Sequence, residues 1–340
     1  MLFDLGPRLL TTRDVARIVK NGGAGALTEA ERRADEARYQ EIQCRSALNP
    51  VKGMPFSWTL NPYRGCTHAC HYCFARRYQT QLELGSGDEF STLIFVKTNF
   101  VEVLRRELDH PKWTRELAAL GTATDPYQPI EGQYKITRGT LQALAAGRTP
   151  VGLLTKGPMI VRDIDVLQDV FRSTAGSSVC VSVPTTDEQA WRTLEPGTAP
   201  PLQRLRAVRA LVDAGLDAGV LMAPLVPGFS THPSKIEATV KAVADHGARF
   251  VGANLLFLDG GTRDHFMRFL ASDFPTLTSQ YEHLYASKYA ARDYVERVKR
   301  TVGLMKARYG LNTRHRRGDD EDANDATAPV VRETQSAFEF

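Results

Sequence analysis

The chain has 340 residues and a formal net charge of +4, with 43 Lys or Arg against 39 Asp or Glu. A chain of this length buries roughly 75% of the surface that its unfolded form exposes, which excludes the small secreted proteins that depend on disulfides for stability. Its longest apolar stretch, near residues 219–226, is too short to cross a bilayer, and no basic start is followed by an apolar run. We therefore expect a cytoplasmic protein with no membrane partner.

The two ends of the chain are predicted to lie outside the main fold. Residues 1–50 are expected to form an extension that packs on the main domain, because helical stretches such as LTEAERRADEARYQEI, residues 27–42, contain too few apolar residues to form a core alone. Residues 314–340 contain four Arg and seven Asp or Glu and show no hydrophobic period. This composition predicts a disordered charged tail.

Between the ends, short apolar, β-branched runs alternate with helical patterns. One helical pattern, residues 201–215, ends at Gly215. Its predicted apolar face comprises Leu202, Leu205, Val208, Leu211 and Val212. Alternation of this kind is typical of parallel βαβ units and predicts an α/β fold, either a barrel or a partial barrel. The strand candidates, about seven by these criteria, are PFSWTL, TLIFVK, LAALGTAT, VGLLTK, SVCVSVPTT, AGVLMAPLV and RFVGANLLFL.

Three of the chain's five cysteines lie close together, at Cys66, Cys70 and Cys73. In a reducing compartment, clustered cysteines are typical of metal binding or catalysis. A structural zinc site would need a fourth ligand, which His68 or His71 could supply. A cubane [4Fe-4S] cluster held by three thiolates would instead leave one iron open to a substrate or cofactor. The lack of a second short pair of ligands elsewhere in the sequence favours the cluster over zinc.

Polar residues follow several of the predicted strands. The carboxyl ends of parallel barrel strands meet at one rim, where the chemistry of such folds is located. The cysteines follow the strand SWTL directly, so they are expected at the same rim as the other strand ends. Those ends are GTATDPYQPIE, LLTKG, VSVPTT and PLVPGF.

The spacing Cys-x3-Cys-x-aromatic-Cys, formed by Cys66, Cys70, Tyr72 and Cys73, resembles the motif of the radical S-adenosylmethionine (SAM) superfamily. The ordered segments NPYRGCTHACHYCFAR, GTATDPYQPIE, LLTKG, RDIDVL, LEPGT and PLVPGF resemble the subgroup related to spore photoproduct lyase, often called DNA repair photolyases. The resemblance covers about residues 45–300. It implies a partial (β/α)6 barrel, which we place in residues 51–260, followed by C-terminal helices in residues 261–313.

The resemblance also implies an enzyme with a [4Fe-4S] cluster and SAM as its cofactors. In this superfamily the open iron chelates the amino and carboxylate groups of SAM. One-electron reduction then cleaves SAM to methionine and a 5′-deoxyadenosyl radical, which abstracts a hydrogen atom from a substrate. An electron donor such as flavodoxin or ferredoxin is the implied partner. The substrate is not implied, and nucleic acid is one candidate.

Individual residues can be matched to the family's motifs. Cys66, Cys70 and Cys73 match the cluster ligands, and Tyr72 matches an aromatic position near the adenine of SAM. Lys156 and Ser182 match polar positions that approach the SAM carboxylate, which suits a cation and a hydroxyl donor. Thr124 and Asp125 lie in a loop from which SAM or substrate could be reached.

The chain departs from the family pattern in one loop. Spore photoproduct lyases have an additional cysteine in the loop corresponding to GTATDP and use it to return a hydrogen atom, whereas this chain has Ala123 and Thr124 there. This difference argues against repair of thymine dimers. Cys180 shares strand parity with Ser182 and could act as a hydrogen donor, although a small buried hydrophobic residue is the commoner use of such a cysteine.

Three further charged residues lie near these motifs. Glu131 follows the GTATDP loop, and Arg64 and Arg76 flank the cysteines. The arginines could tune the potential of a cluster, hold the carbonyl groups of the loop, or be ordinary surface charges.

Overall fold

The computed structural model describes residues 37–82 and 87–311. Most of the predicted helical stretch at residues 27–42 and the whole predicted tail at residues 314–340 lie outside the described residues. The predicted domain boundaries at residues 50, 260 and 313 stay predictions.

A sheet of six parallel strands with one antiparallel edge strand forms the centre of the described chain. The parallel strands lie in sequence order, β3-β6-β7-β8-β9-β10, and β2 pairs antiparallel with β3. This α/β arrangement is the strand order of the predicted partial (β/α)6 barrel. The strands are β1 Arg38–Ile42, β2 Asn49–Pro50, β3 Trp58–Leu60, β4 Tyr63–Arg64, β5 Leu93–Lys97, β6 Ala118–Leu120, β7 Val151–Thr155, β8 Ser178–Ser182, β9 Ala218–Leu225 and β10 Val251–Leu255.

Helices connect the strands and follow the last of them. Proline occupies the first turn of several helices, where its missing N–H has no intrahelical partner to lose. No helix in the described ranges is long and apolar enough to span a membrane. The helices are α1 Glu89–Thr92, α2 Phe100–Leu108, α3 Glu131–Tyr134, α4 Ile136–Ala146, α5 Ile164–Ser173, α6 Glu188–Leu194, α7 Pro201–Asp213, α8 Pro233–Asp245, α9 Gly260–Asp273, α10 Pro275–Leu284 and α11 Arg292–Arg308, and two 3-10 segments span Phe74–Leu82 and Pro158–Asp163.

The two faces of the parallel sheet differ in burial. Val179 and Val181 of β8 are fully buried and belong to the main hydrophobic core. The alternate residue Cys180 is only partly buried, and it pairs in register with Leu154 of β7 and Gly219 of β9. Since residues paired in register share a face, the second face of the sheet remains partly accessible. We call it the inner face.

One prediction about the strands and helices is wrong, and one predicted strand lies outside the parallel sheet. Residues 38–42, expected to be helical, form β1, which pairs in parallel with all five residues of β5. The strand TLIFVK is correctly predicted as a strand, but it forms a separate sheet in the order β1-β5-β4. The pairing of β1 with β5 explains both differences. This pairing joins residues about 55 apart in sequence, and it outweighs the weak helical propensity of a short polar segment.

The predicted apolar face of α7 is also partly wrong. Leu205, Val208 and Leu211 are fully buried as expected. Leu202, however, is 53% exposed, while the charged residue Arg204 is fully buried. The reason is the carboxylate of Glu195, in the segment just before α7, which is described below.

Candidate cofactor site

The three cysteines lie on one short loop between β4 and the 3-10 segment Phe74–Leu82, beyond the end of β3. Cys66 and Cys70 are buried, and Cys73 is half-buried. The loop folds back on itself, with Ala69 N–H donating to the Cys66 carbonyl (3.3 Å) and Cys73 N–H donating to the Cys70 carbonyl (3.2 Å). Gly65 begins the loop at φ +80°, where a side chain would lie 2.7 Å from the Leu93 carbonyl oxygen. Glycine is therefore required at the entry to the loop.

Arginines hold the carbonyl groups of this loop. The buried guanidinium of Arg76 donates to the carbonyls of Ala69 (3.0 Å) and Cys70 (3.1 Å). Arg64 donates to the carbonyl of Tyr78. Arg76 therefore holds carbonyls of the cysteine loop, and Arg64 holds a carbonyl of the 3-10 segment that follows it.

The Thr124 side chain also holds the loop. Its hydroxyl is buried and donates to the Gly65 carbonyl (2.7 Å), and the amide of Gln128 donates to the same carbonyl (3.3 Å). Gln128 in turn accepts a hydrogen bond from Thr67 N–H (3.3 Å). Thr124, expected to reach SAM or substrate, is therefore committed to the loop backbone in this structure.

Burial and neighbouring charges shift the pKa values of the motif thiols. Burial raises the pKa of Cys70 above its usual range, the other two motif cysteines raise it further, and nearby Lys156 lowers it. Burial likewise raises the pKa of Cys73, with Cys66 adding to the effect. Buried thiolates of this kind need compensating positive charge, which a bound metal centre supplies.

The residues of the loop fit a cluster that spreads its thiolates over several irons. Within the described chain, no three or more His, Cys, Asp or Glu side chains are grouped so as to hold a single metal ion. A structural zinc ion would need four such ligands around one point, whereas a cubane takes each thiolate on a different iron. The buried Thr67 hydroxyl also has no hydrogen-bond partner among the described residues. A bound group with acceptor atoms would satisfy a hydroxyl in this position.

His68 and Asp125 form a buried pair beside the first cysteine. His68 Nδ1 lies 3.3 Å from Asp125 Oδ2. Burial alone would lower the pKa of His68, but Cys66 and Asp125 outweigh it and raise the pKa to about 10. Burial alone would raise the pKa of Asp125, but His68 and further hydrogen-bond donors lower it to about 2. Asp125 therefore faces the cysteine loop.

A second buried network links Tyr72 to Glu195. The Tyr72 hydroxyl donates to Glu195 Oε1. Arg204, fully buried on α7, donates to Glu195 Oε2 (2.5 Å) and to the carbonyl of Ser182 (2.9 Å). Burial alone would raise the pKa of Glu195, but Arg204 and then Lys156 lower it. Glu195 is thus an ionised carboxylate at the centre of the site.

Lys156 lies between this network and the cysteines. Its Nζ is 3.9 Å from Glu195 Oε1 and 5.6 Å from the centre of the Tyr72 ring, and its side chain is 17% exposed. Ser182, at the end of β8, is buried and its hydroxyl lies 3.4 Å from the Ala223 carbonyl. The structure therefore brings Lys156, Tyr72 and Cys70 together, and places Ser182 on the Arg204 side of the same network.

Sequence reasoning missed Glu195 and Arg204. Glu195 lies within the quoted segment LEPGT, but no role was assigned to it. Tyr72 and Glu195 are 123 residues apart in sequence, so no local pattern connects them. Arg204 itself is a signal of a buried ion pair, because it is a charged residue at a position of α7 where the helical period predicts an apolar one.

Glu131 joins three parts of the fold rather than contacting the cysteines. It is fully buried and accepts hydrogen bonds from the Tyr63 hydroxyl (2.5 Å), Thr137 N–H (2.9 Å) and Arg162 (2.8 Å). Its carboxylate thus joins β4 to the start of α4 and to the RDID segment.

Gly197 allows the LEPGT segment to contact the cysteine loop. Its N–H donates to the His68 carbonyl (3.1 Å), and a Cβ at this position would lie 2.2 Å from the Thr67 carbonyl oxygen. We expect Gly197→Ala to lower stability by about 1–3 kcal/mol, since backbone on both sides must move. Gly303→Ala, in α11 with nothing within 4 Å of the added Cβ, is the matched control and is expected to be neutral or stabilising. Urea unfolding of both variants measures the difference, and equal stabilities would contradict the close contact.

Comparison with protein families and known proteins gives consistent matches. The model of the Radical SAM superfamily matches residues 60–242. Protein Rv2578c of Mycobacterium tuberculosis is 40% identical over 286 residues, covering 83% of this chain and 84% of that protein. A protein of Pseudomonas phage M6, described as a radical SAM Nalpha-GlyT isomerase, is 28% identical over 176 residues, covering 50% of this chain and 34% of that protein.

Among solved structures, spore photoproduct lyase complexed with dinucleoside spore photoproduct has a TM-score of 0.64 at 14% identity, covering 84% of each chain. This similarity extends well beyond the cysteine loop and includes most of the described sheet and helices. At this level of identity it shows a shared fold.

Proposed function

The chain belongs to the radical SAM superfamily, whose members are enzymes that use a [4Fe-4S] cluster and SAM, and we propose that Cys66, Cys70 and Cys73 hold the cluster. The placement of all three cysteines on one short loop that is closed by its own backbone hydrogen bonds carries this assignment. When bound, the cluster and SAM supply a one-electron reductive cleavage that yields methionine and a 5′-deoxyadenosyl radical. The proposed reaction is abstraction of a hydrogen atom from a substrate by that radical, with the electron delivered by a donor such as flavodoxin or ferredoxin.

Lys156 is proposed to bind the carboxylate of SAM. Its ammonium is largely buried beside Cys70, so it is available near the open position of the cluster and shielded from water. Its contact to Glu195 is long, at 3.9 Å, and Glu195 keeps the shorter bond to Arg204. A carboxylate could therefore be received by Lys156 without leaving Glu195 unpaired. Ser182 and Asp125 are assigned to the surroundings of this site, with Ser182 at the strand end and Asp125 holding the backbone N–H of Lys156 (2.6 Å).

Tyr72 is proposed to form the wall of the SAM site next to Lys156. Its hydroxyl is fixed by Glu195, so the ring has one orientation. Its ring centre lies 5.6 Å from Lys156 Nζ. A fixed aromatic ring at this place suits the adenine side of SAM, as the family resemblance implies.

The inner face of the sheet is the proposed substrate side. Gly152 is bordered by open space, with nothing within 4 Å of an added Cβ, and Cys180 on the same face is partly buried. Phe250 covers the neighbouring position, Gly219. A reactive radical needs a shielded space of this kind, open to one substrate and lined by few charges. Cys180 is the proposed candidate for returning a hydrogen atom, since Ala123 and Thr124 occupy the loop where spore photoproduct lyases have a cysteine.

Anaerobic purification tests the cluster against the zinc alternative. A cubane requires about four irons per chain and gives a brown protein. A colourless protein that retains one zinc would support a structural Cys3His site and would overturn the proposal. A substrate screen should include single-stranded and damaged nucleic acid, because a spore photoproduct lyase structure contains a dinucleoside photoproduct.

Lys156→Ala is expected to weaken SAM binding roughly ten- to hundredfold while the iron content stays unchanged. The reason is the loss of one charge-assisted hydrogen bond in a shielded site, worth about 1.5–3 kcal/mol. Equilibrium SAM binding and 5′-deoxyadenosine formation after dithionite reduction measure the effect. Lys241→Ala is the matched control, because Lys241 pairs with Asp245 on the surface of α8. An unchanged SAM affinity in Lys156→Ala would contradict the proposal that Lys156 binds SAM.

A further inference from the structure

A second pocket lies at the end of the parallel sheet opposite to the cysteine site. Its volume is about 490 Å³, within the range of roughly 300–1,000 Å³ that is typical of small-molecule sites. Trp58 lines it at the first residue of β3, whereas the cysteine loop lies beyond the last residue of that strand. The other lining residues come from the segments before β2 and β6 and from α2, and they include the buried aliphatic residues Leu48 and Val103.

Two indole rings give the pocket most of its apolar surface. The rings of Trp58 and Trp113 lie edge to face, with their centres 5.4 Å apart. Both N–H groups are bonded: Trp58 Nε1 donates to the carboxylate of Glu116 (2.9 Å), and Trp113 Nε1 donates to the hydroxyl of Thr149 (2.9 Å). Both rings are only partly buried. They are therefore held in one orientation, and rings fixed in this way suit a planar aromatic ligand.

The one carboxylate among the lining residues is bonded to the backbone. Glu107 Oε2 accepts from the N–H groups of Ala47 (3.1 Å) and Leu48 (2.9 Å), and its Oε1 accepts from the hydroxyl of Ser46 (2.7 Å). These bonds attach the segment before β2 to α2. The acceptor atoms of Glu107 are thus already used by the fold.

Three cations line the same pocket. They are Arg45, Arg106 and Lys112, and all three are exposed. Arg106 lies 3.9 Å from Glu102 in an exposed pair, which binds weakly. Within residues 37–82 and 87–311, the side chains of Arg45 and Lys112 form no ion pair. With Glu107 as the single negative charge, the lining has an excess of two positive charges.

We propose that this pocket binds a small phosphate ester that carries an aromatic ring, of the kind that a nucleoside monophosphate represents. A phosphate monoester carries about two negative charges at neutral pH, which matches the excess charge of the lining. Arginine and lysine bind phosphate through charge-assisted hydrogen bonds, while the ligand's ring packs on the indoles. No lining residue belongs to the cysteine loop, so the proposal does not depend on the cluster.

The probe is adenosine monophosphate, titrated into the full-length protein. Binding is measured by isothermal titration calorimetry and by the quenching of tryptophan fluorescence, since two of the chain's three tryptophans line the pocket. We expect saturable binding with quenching. Adenosine, which lacks the phosphate, and inorganic phosphate, which lacks the ring, are each expected to bind more weakly than the complete probe.

A charge-reversed variant locates the binding. Arg45→Glu with Lys112→Glu changes two exposed side chains and is expected to weaken the binding of adenosine monophosphate about tenfold or more, while the affinity for adenosine stays unchanged. Lys299→Glu with Arg300→Glu, on exposed positions of α11, makes the same change in net charge and is the matched control. It should bind the probe as the wild type does.

Four results would overturn the proposal. No saturable binding of adenosine monophosphate up to millimolar concentrations would exclude the site, and an unchanged affinity in Arg45→Glu with Lys112→Glu would place the binding elsewhere. Adenosine that binds as tightly as the probe would contradict the role of the cations. Inorganic phosphate that binds as tightly as the probe would contradict the role of the indole rings.

Discussion

Replacing Cys66, Cys70 or Cys73 by alanine is expected to abolish the iron cluster. Each motif thiolate is assigned to one iron, so a single replacement leaves two protein ligands and a labile cluster. Iron and acid-labile sulfide are measured after anaerobic reconstitution. Each should fall from about four per chain in the wild type to a small remaining fraction in each variant. SAM cleavage should be lost in parallel, because the open iron would no longer be held.

Cys44→Ala and Cys180→Ala are the controls for the cysteine replacements and should retain the cluster. The backbone of Cys44 is bonded to Asn99 and its side chain packs against the main core, among residues away from the motif loop. Cys180 lies within β8, two residues before the strand end at Ser182. Loss of iron in Cys180→Ala as complete as in Cys73→Ala would show a fourth protein ligand and would leave no open iron for SAM.

Replacing Glu195 by alanine is expected to lower the free energy of unfolding by about 3–5 kcal/mol, the typical result of removing one partner of a buried ion pair. Arg204 has no exposed surface, so without Glu195 its charge stays buried and has no carboxylate partner. The same change frees the Tyr72 hydroxyl and removes a neighbour of Lys156. Urea unfolding measures the loss of stability, and iron content shows whether the cysteine loop is still formed.

Glu188→Ala is the matched control for Glu195→Ala. Glu188 also pairs with an arginine, at 2.6 Å, but both side chains are more than two-thirds exposed. Exposed pairs of this kind contribute below about 1 kcal/mol. A second test is the double variant Glu195→Met with Arg204→Met, which should regain part of the lost stability because no charge stays buried. Equal effects of Glu195→Ala and Glu188→Ala would contradict the ion pair as the source of stability.

The Glu195 contribution also has a defined dependence on pH. The pKa of Glu195 is lower in the folded protein than its usual value. A lowered carboxyl pKa means that the stabilisation is fully present above the usual pKa and is lost as the pH falls through the folded value. The difference in stability between wild type and Glu195→Ala should therefore shrink as the solution is made acidic.

The sequence by itself determined the class of fold and the place of the three motif cysteines on one loop. The hydrophobic periods of strands and helices are local properties of the chain, so the sequence shows directly that strands and helices alternate. Parallel strands in sequence order follow from that alternation. The spacing of Cys66, Cys70 and Cys73 is also local, since the three lie on one loop. The same is true of Lys156, whose place at the end of a strand follows from the strand itself.

Only the tertiary structure decided which distant groups meet. The predicted helix at residues 38–42 is a strand because β5 pairs with it, and the Thr124 hydroxyl finds its hydrogen-bond partner in the Gly65 carbonyl. Glu195 acquires its role from Tyr72, 123 residues away in sequence, and from Arg204 on α7. His68 acquires its partner from Asp125, on the loop after β6. Such contacts depend on how the strand ends converge, and buried charges are stable only where they find partners there. A local pattern carries no information about that convergence.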